Sequence, residues 1–189
     1  MEKRTLVALV EDNPGVLNRV ASLLRRRSFN IESIAVGHAE QNGLARMTVI
    51  LYGDSARVEQ ARKQLDKLIE VVKIADITEE AVVARELALI KVRATAITRS
   101  EIIQIADIFR ANIIDVAADS FIIEVTGDED KVNSLLNLFR GFGIKEISRT
   151  GQIALTRGAT GSLVVGEESK IAKSPQKLKA EQPESAADW

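Results

Sequence analysis

The chain has no cysteine, and His38 is the single histidine among its 189 residues. Without cysteine there is no disulfide framework, no thiolate nucleophile and no cysteine-based metal site. His38 cannot build a metal cluster by itself, and it cannot complete a Ser-His-acid set from a segment that is predicted to be a loop. The sequence therefore predicts neither a catalytic site nor a metal site.

Aromatic residues are also scarce, at 4% of the chain, and neither sign of charge dominates. Lys+Arg total 26 against 27 for Asp+Glu, so the net charge of -1 provides no basic field to hold a polyanion. The strand aromatics Tyr52 and Phe121 are scattered, whereas RNA-binding sheets stack bases on clustered aromatics. We therefore expect neither nucleic acid nor an anionic membrane as a partner.

Long apolar runs are missing as well. The segment Met1-Glu2-Lys3-Arg4 leads directly into a short strand instead of the longer apolar segment of a signal peptide. No run reaches the length that crosses a bilayer. We therefore expect a cytoplasmic protein.

What the sequence does contain is a regular order of strands and helices, read from the spacing of its apolar residues. In residues 1–78 the predicted order is βαββαβ. Its elements are a strand over 5–10, a helix from 16 to the basic run 25–27, a strand over 28–36, a hairpin loop over 38–43, a strand over 47–52, a helix from 55 and a strand over 71–77.

The same order is repeated after a polar linker over 79–84. Residues 85–157 are predicted to form a strand over 86–94, a helix over 99–110, strands over 113–117 and 121–126, a helix opened by Gly127-Asp128, and a closing strand over 144–153. The predicted fold class is therefore α+β, with two tandem ferredoxin-like βαββαβ domains. Each domain is expected to be an antiparallel sheet with two helices on one face.

The remaining residues, 158–189, have a different composition. They are rich in Lys, Glu, Ser, Ala and Pro and offer no apolar face to bury, which predicts a disordered tail. The segment Gly158-Ala159-Thr160-Gly161-Ser162 lacks the lysine and spacing of a phosphate-binding loop. It is interpreted as an ordinary loop.

The stretch of greatest functional interest is the predicted strand-to-helix turn over 11–17, Glu11-Asp12-Asn13-Pro14-Gly15-Val16-Leu17. Pro14 is expected to set φ for the first helical turn, and Gly15 allows the backbone to approach a ligand closely. Asp12 or Asn13 is expected to cap the helix. A capped helix without any ligand remains the alternative interpretation.

Backbone N–H groups at the start of a helix carry partial positive charge and attract anions. A zwitterion would suit this turn, because its carboxylate can accept from the N–H groups of Gly15, Val16 and Leu17 while Asp12 meets its ammonium group. A phosphate is excluded, since Glu11 and Asp12 would repel it. The turn therefore favours an amino-acid sensor over a phosphatase of the same fold.

Several stretches resemble the acetolactate synthase (acetohydroxyacid synthase) small, regulatory subunit. Residues 10–17, 30–34 and 45–48 are similar to its N-terminal ACT domain. Residues 85–92, 108–116 and the sequence Arg149-Thr150-Gly151 are similar to its second domain. The resemblance covers about residues 4–158 in order.

This resemblance implies a non-catalytic subunit that binds and activates the catalytic large subunit and makes it sensitive to valine. Thiamine diphosphate, magnesium and FAD are then expected in the large subunit, with no cofactor bound by this chain. The family pairs two ACT domains edge to edge, with the amino acid between one protomer's first turn and the other's second strand. By position, the ligand-binding residues would be Asp12, Asn13, Pro14, Gly15, Val16 and Leu17 on one wall, and Asn30 and Ile31 on the other.

Two other functions stay open at this point, because βαββαβ domains serve many purposes. One is a stand-alone amino-acid-sensing ACT protein that acts on another target, and the other is an enzyme of the same fold. Family members often carry asparagine where Asp12 stands, so this position departs from the pattern.

Overall fold

The computed structural model describes residues 2–158 and Leu163, which form two sheets, each with a pair of helices on one face. The first domain consists of β1 (Glu2–Glu11), α1 (Val16–Arg26), β2 (Asn30–His38), β3 (Leu44–Gly53), α2 (Ser55–Leu65) and β4 (Val71–Asp76). The second consists of β5 (Val82–Arg93), α3 (Arg99–Ile108), β6 (Asn112–Val116), β7 (Ser120–Gly127), α4 (Glu129–Arg140), β8 (Ile144–Arg149) and β9 (Ile153–Thr156).

The two sheets have the same topology. The strand order is β2-β3-β1-β4 in the first and β6-β7-β5-β8 in the second, and all of these pairs are antiparallel. This confirms the α+β class with two tandem βαββαβ units. It also places β2 and β6 at corresponding edges of their sheets.

Each domain buries its own apolar core between the sheet and the helices. In the first domain, α1 contributes Val16, Val20, Leu23 and Leu24, and α2 contributes Val58, Ala61 and Leu65. In the second, α4 buries the four residues that the helical spacing predicts: Val132, Leu135, Leu136 and Phe139. Arg25 and Arg26 lie in the last turn of α1, where their charge suits the helix dipole.

The first sheet is apolar on both faces. In β3, Met47, Val49 and Leu51 pack toward the helices, while Thr48 and Ile50 are buried on the opposite face. A small apolar cluster of Val7, Ile77, Ala154 and Leu163 joins that second face to the C-terminal domain. The alternation of apolar residues on both faces of β3 therefore reflects an interface between the domains.

The closing strand predicted over 144–153 is wrong, because the chain forms two strands there. β8 pairs with the C-terminal half of β5, and β9 pairs with its N-terminal half, Val82–Arg85. Between them lies a turn at Thr150–Gln152, in which Gly151 adopts a φ of 79°. Since β5 begins at Val82, four residues before the predicted start, the second half of the predicted linker is strand.

Smaller differences occur at other element ends. β2 begins at Asn30 and not at Ser28, because Ser28 has a φ of 56° and ends the α1 turn. His38 is the last residue of β2, so the prediction that it lies in the hairpin loop is wrong. α3 ends at Ile108, two residues earlier than predicted. The prediction of a disordered tail over 158–189 falls almost wholly outside the described residues.

Candidate functional site: the first turn and the edge strand

The turn between β1 and α1 has an unusual helix start. Gly15 is the N-cap residue of α1 with a φ of 90°, and no side chain caps the helix. A Cβ atom placed on Gly15 would meet no atom within 4 Å. Glycine is therefore needed here for its left-handed backbone, and the space beside it is open.

The predicted capping by Asp12 or Asn13 is wrong, because other groups engage both side chains. The Asn13 amide donates to Glu11 Oε2 at 2.8 Å. The Asp12 carboxylate oxygen Oδ2 lies 3.0 Å from Nδ1 of His38. Pro14 precedes the helix, which begins at Val16, so it does not set φ within the first helical turn as predicted.

The backbone N–H groups of the turn are only partly used. Asp12 donates its N–H to Gly43 O at 2.8 Å, which ties the turn to the start of β3. Val16 donates to Asn13 O at the long distance of 3.3 Å, so this N–H is weakly engaged and not free as predicted. The uncapped start of α1 remains a region of positive potential.

Two residues that the sequence analysis did not assign to this turn contact it. Glu70 accepts the Glu11 N–H on its backbone oxygen at 2.8 Å, and its nearly buried carboxylate pairs with Arg19 of α1. His38 contacts Asp12 from the end of β2. Neither contact has a signal in the sequence, because Glu70 lies outside any periodic segment and His38 is 26 positions from Asp12.

The second predicted wall lies at the other end of the sheet. Asn30 is paired with Tyr52 near the end of β3, whereas the first turn adjoins Gly43 and Leu44 at its start. The eight residue steps from Asn30 to His38 span about 26 Å of extended strand. Within one chain, the structure therefore does not bring Asn30 and Ile31 to the first turn.

The strand that carries Asn30 and Ile31 is an edge strand. Within residues 2–158, β2 pairs with β3 on one side only. Val36, on this strand, is a large apolar residue with an exposed fraction of 47%. An exposed edge of this kind is a template for pairing with another strand.

The corresponding turn of the second domain is bridged by its own side chains. The N–H of Thr95 donates to the Thr98 hydroxyl at 2.9 Å, and the N–H of Thr98 donates back to the Thr95 hydroxyl at 3.3 Å. The Arg99 guanidinium donates to the carbonyl oxygens of Ala117 and Ala118 at 2.7 and 2.8 Å. An anion at this turn would compete with these contacts, although α3, like α1, has no side chain that caps its first N–H groups.

The part of the chain that the structure describes contains no group of three or more His, Cys, Asp or Glu residues placed to hold a metal ion. None of its helices combines the length and apolar character needed to cross a bilayer.

The first βαββαβ domain is an ACT domain, because residues 6–73 match the model of the AHAS small subunit-like ACT domain. Residues 85–158 match the model of the small subunit of acetolactate synthase. The chain therefore belongs to the family of acetolactate synthase small subunits.

Individual relatives agree with this assignment. The chain is 56% identical over 156 residues to a probable acetolactate synthase small subunit from Archaeoglobus fulgidus, covering 82% of this chain and 98% of that protein. It is 49% identical over 157 residues to the acetolactate synthase small subunit of Mycolicibacterium smegmatis, covering 83% and 92%. The crystal structure of the Thermotoga maritima small subunit superposes with a TM-score of 0.78 at 42% identity, covering 85% and 100%.

Proposed function

We propose that this chain is the regulatory, non-catalytic subunit that activates the acetolactate synthase large subunit and confers feedback inhibition by valine on branched-chain amino acid biosynthesis. The observation that carries the proposal is the uncapped turn at Gly15 in a chain of this family. It leaves the positive end of α1 open to a carboxylate, whereas Thr95, Thr98 and Arg99 fill the turn before α3 with their own hydrogen bonds.

The chemistry of the turn suits valine. Its carboxylate would accept from the N–H groups at the start of α1, at Gly15, Val16 and Leu17. Its ammonium group would lie near the Asp12 carboxylate, which His38 already orients. Leu17, exposed to 47%, offers an apolar surface for the isopropyl group.

A homodimer would complete the site. Antiparallel pairing of two β2 strands about their midpoint places Asn30 and Ile31 of one protomer beside His38 of the other. Since His38 contacts Asp12, the second wall would then adjoin the first turn. The separation of the two walls within one chain supports a site shared between protomers.

The large subunit would bring the reaction chemistry. We place thiamine diphosphate, magnesium and FAD there, and we assign to this chain the binding of valine and of the large subunit. Such regulation requires two sites and two states of the complex, which a binding subunit can supply without any catalytic residue.

The test uses an acetolactate synthase large subunit purified without its own small subunit. Its activity is measured alone, with this chain, and with this chain plus increasing valine. We expect an increase on addition of the chain and inhibition by valine only when the chain is present. The variant Asn30→Ala should retain activation and lose sensitivity to valine.

An unchanged activity on addition of the chain would contradict the proposal. Calorimetric titration of the chain with valine would then test the alternative of a stand-alone ACT sensor. Such a sensor would bind the amino acid without affecting the synthase.

A further inference from the structure

The turn at Thr150–Gln152, which separates β8 from β9, lies directly against the edge strand of the first domain. The N–H of Gln152 donates to the hydroxyl of Ser33 in β2 at 3.1 Å. A Cβ on Gly151 would lie 2.6 Å from that hydroxyl and 3.5 Å from the carbonyl oxygen of Ile34. Glycine is therefore required at 151 for close approach to β2 as well as for its φ of 79°.

On its other side, this turn is fixed to the second domain. Thr150 donates its N–H to Leu87 O at 3.0 Å, and the N–H of Leu87 donates to the Thr150 hydroxyl at 3.1 Å. The preceding Arg149 pairs with the buried carboxylate of Glu86 and donates to Asn133 Oδ1 at 3.0 Å. A displacement of β2 at Ser33 would thus be transmitted to β5 and α4.

An ion pair bridges the domains across the same cleft, which has a volume of about 350 Å³. Lys3 Nζ lies 2.7 Å from Glu129 Oε1 at the start of α4. Partial burial lowers the pKa of Lys3, but the hydrogen bond and charge of Glu129 outweigh it and raise that pKa above its usual value. The cleft is therefore held by a charged contact on one side and by the Ser33 hydroxyl on the other.

The segment of β2 between the predicted ligand wall and Ser33 is irregular. Ile31 pairs with Leu51 and Ser33 with Ile50, so Glu32 is an extra residue in a β-bulge. Bulges interrupt the hydrogen-bond ladder and redirect neighbouring side chains. Glu32 therefore lies outside the ladder at the point where β2 passes from the predicted ligand wall to Ser33.

We infer that Ser33 is a positioning residue that couples occupancy of the amino-acid site to the second domain through Gln152. This inference rests on the proposed function, because it assigns a route to the proposed feedback by valine. Valine held at Asn30 and Ile31 fixes the bulge, the Ser33 hydroxyl follows, and the Thr150–Gln152 turn carries the change to β5. Ser33 does not have to contact valine itself.

The main test replaces Ser33 by Ala, which removes the hydroxyl acceptor, and by Thr, which keeps it on a side chain suited to a strand. Ser55→Ala, at an exposed position on α2, is the matched control. In the reconstituted enzyme, we expect Ser33→Ala to activate normally but to need roughly three to ten times more valine for half-inhibition, the effect of one lost hydrogen bond. Ser33→Thr and Ser55→Ala should behave as wild type.

Calorimetry on the same variants separates coupling from binding. Valine affinity of the isolated Ser33→Ala chain should stay within about twofold of wild type, because the coupling acts between valine and the large subunit and is measured in full only in the complex. A second variant, Gly151→Ala, disturbs the contact between Gln152 and Ser33 from the side of the second domain. It should bind valine with the affinity of wild type, and valine should inhibit its complex less strongly.

Hydrogen exchange gives a measurement that does not need the large subunit. Valine should change the protection of the Gln152 amide in wild type and leave it unchanged in Ser33→Ala. The inference would be overturned if Ser33→Ala and Gly151→Ala were both inhibited by valine as strongly as wild type. Loss of valine binding in Ser33→Ala would also overturn it. The proposed function would fail separately, if wild type itself neither activated nor responded to valine.

Discussion

The two domains share one topology, but their first turns differ in what they do with the start of the helix. In the first domain, α1 starts at Gly15 with no side-chain cap, and Asp12 and Asn13 bond elsewhere. In the second, Thr95 and Thr98 exchange hydrogen bonds across the turn before α3. Neither helix start has a side-chain cap, so the two copies differ in the turn that precedes the helix and not in the cap itself.

The second faces of the two sheets differ as well. In the first domain, this face is buried, with Val7 and Ile50 at 1% and 2% exposure. The corresponding face of the second sheet carries Lys91 and Glu146, which form an ion pair, and Leu89, which is partly exposed. This face of the first sheet is thus covered, in part by Ala154 of β9, while the corresponding face of the second sheet is partly exposed.

The largest expected effect is the loss of valine affinity when a charge is placed in the first turn. Gly15→Asp forces a side chain into a φ of 90° and sets a carboxylate where the valine carboxylate should bind. Close like charges cost several kcal/mol, so we expect valine affinity to fall at least about a hundredfold. The measurement is calorimetric titration of the purified chain with valine.

The matched control is Ala96→Asp, at an exposed position in the corresponding turn of the second domain. It adds the same charge to the corresponding turn, two residues before the N-cap residue Thr98, but should leave valine affinity unchanged. Equal losses in both variants would mean that the difference between the two turns does not determine where valine binds.

The fold could be predicted from the sequence because its signals are local. The spacing of apolar residues in α4 and the alternation in β3 depend on neighbours within one element, and both predictions are confirmed. The break between β8 and β9 could not be predicted from such signals. It depends on Gly151 fitting against Ser33, which is 118 positions away in the chain.

In the candidate site, too, contacts between residues distant in sequence could not be predicted from local signals. Gly15 was predicted to let the backbone approach a ligand closely. Its φ of 90° is a backbone conformation that glycine adopts most readily. The expected cap by Asp12 or Asn13 was wrong because His38 and Glu11 compete for those side chains. The separation of Asn30 from the turn follows only from the strand register.

A smaller effect is expected from changes at the two edge strands. Val36→Lys places a charge on the edge of β2, where it opposes strand pairing and removes an apolar contact from each protomer. For a half-exposed valine in two copies, the loss is about 1–3 kcal/mol, or at least about fivefold in the dimer Kd. Analytical ultracentrifugation measures this change.

Because dimer formation and a shared ligand site are linked, valine affinity should weaken together with dimerisation in Val36→Lys. Ile114→Lys, at an exposed position on the edge strand β6, is the control and should change neither property. A monomeric Val36→Lys that binds valine at full affinity would show that one protomer contains the whole site.

The smallest expected effect concerns one exposed ion pair in each domain and its dependence on pH. A hydrogen bond from Arg62 lowers the pKa of Glu59 on α2 to about 2, and a hydrogen bond from Lys145 lowers the pKa of Asp119 in the second domain. Each ionised carboxylate stabilises the folded protein above the ordinary pKa near 4. This stabilisation is lost as the pH falls through the lowered pKa of the folded state. Since the Glu59 side chain is 41% exposed, solvent screening limits its contribution to about half a kcal/mol. Denaturant unfolding should therefore show Glu59→Gln slightly less stable than wild type at pH 7 and equal to it near pH 2, whereas a constant difference at both pH values would assign the effect to packing.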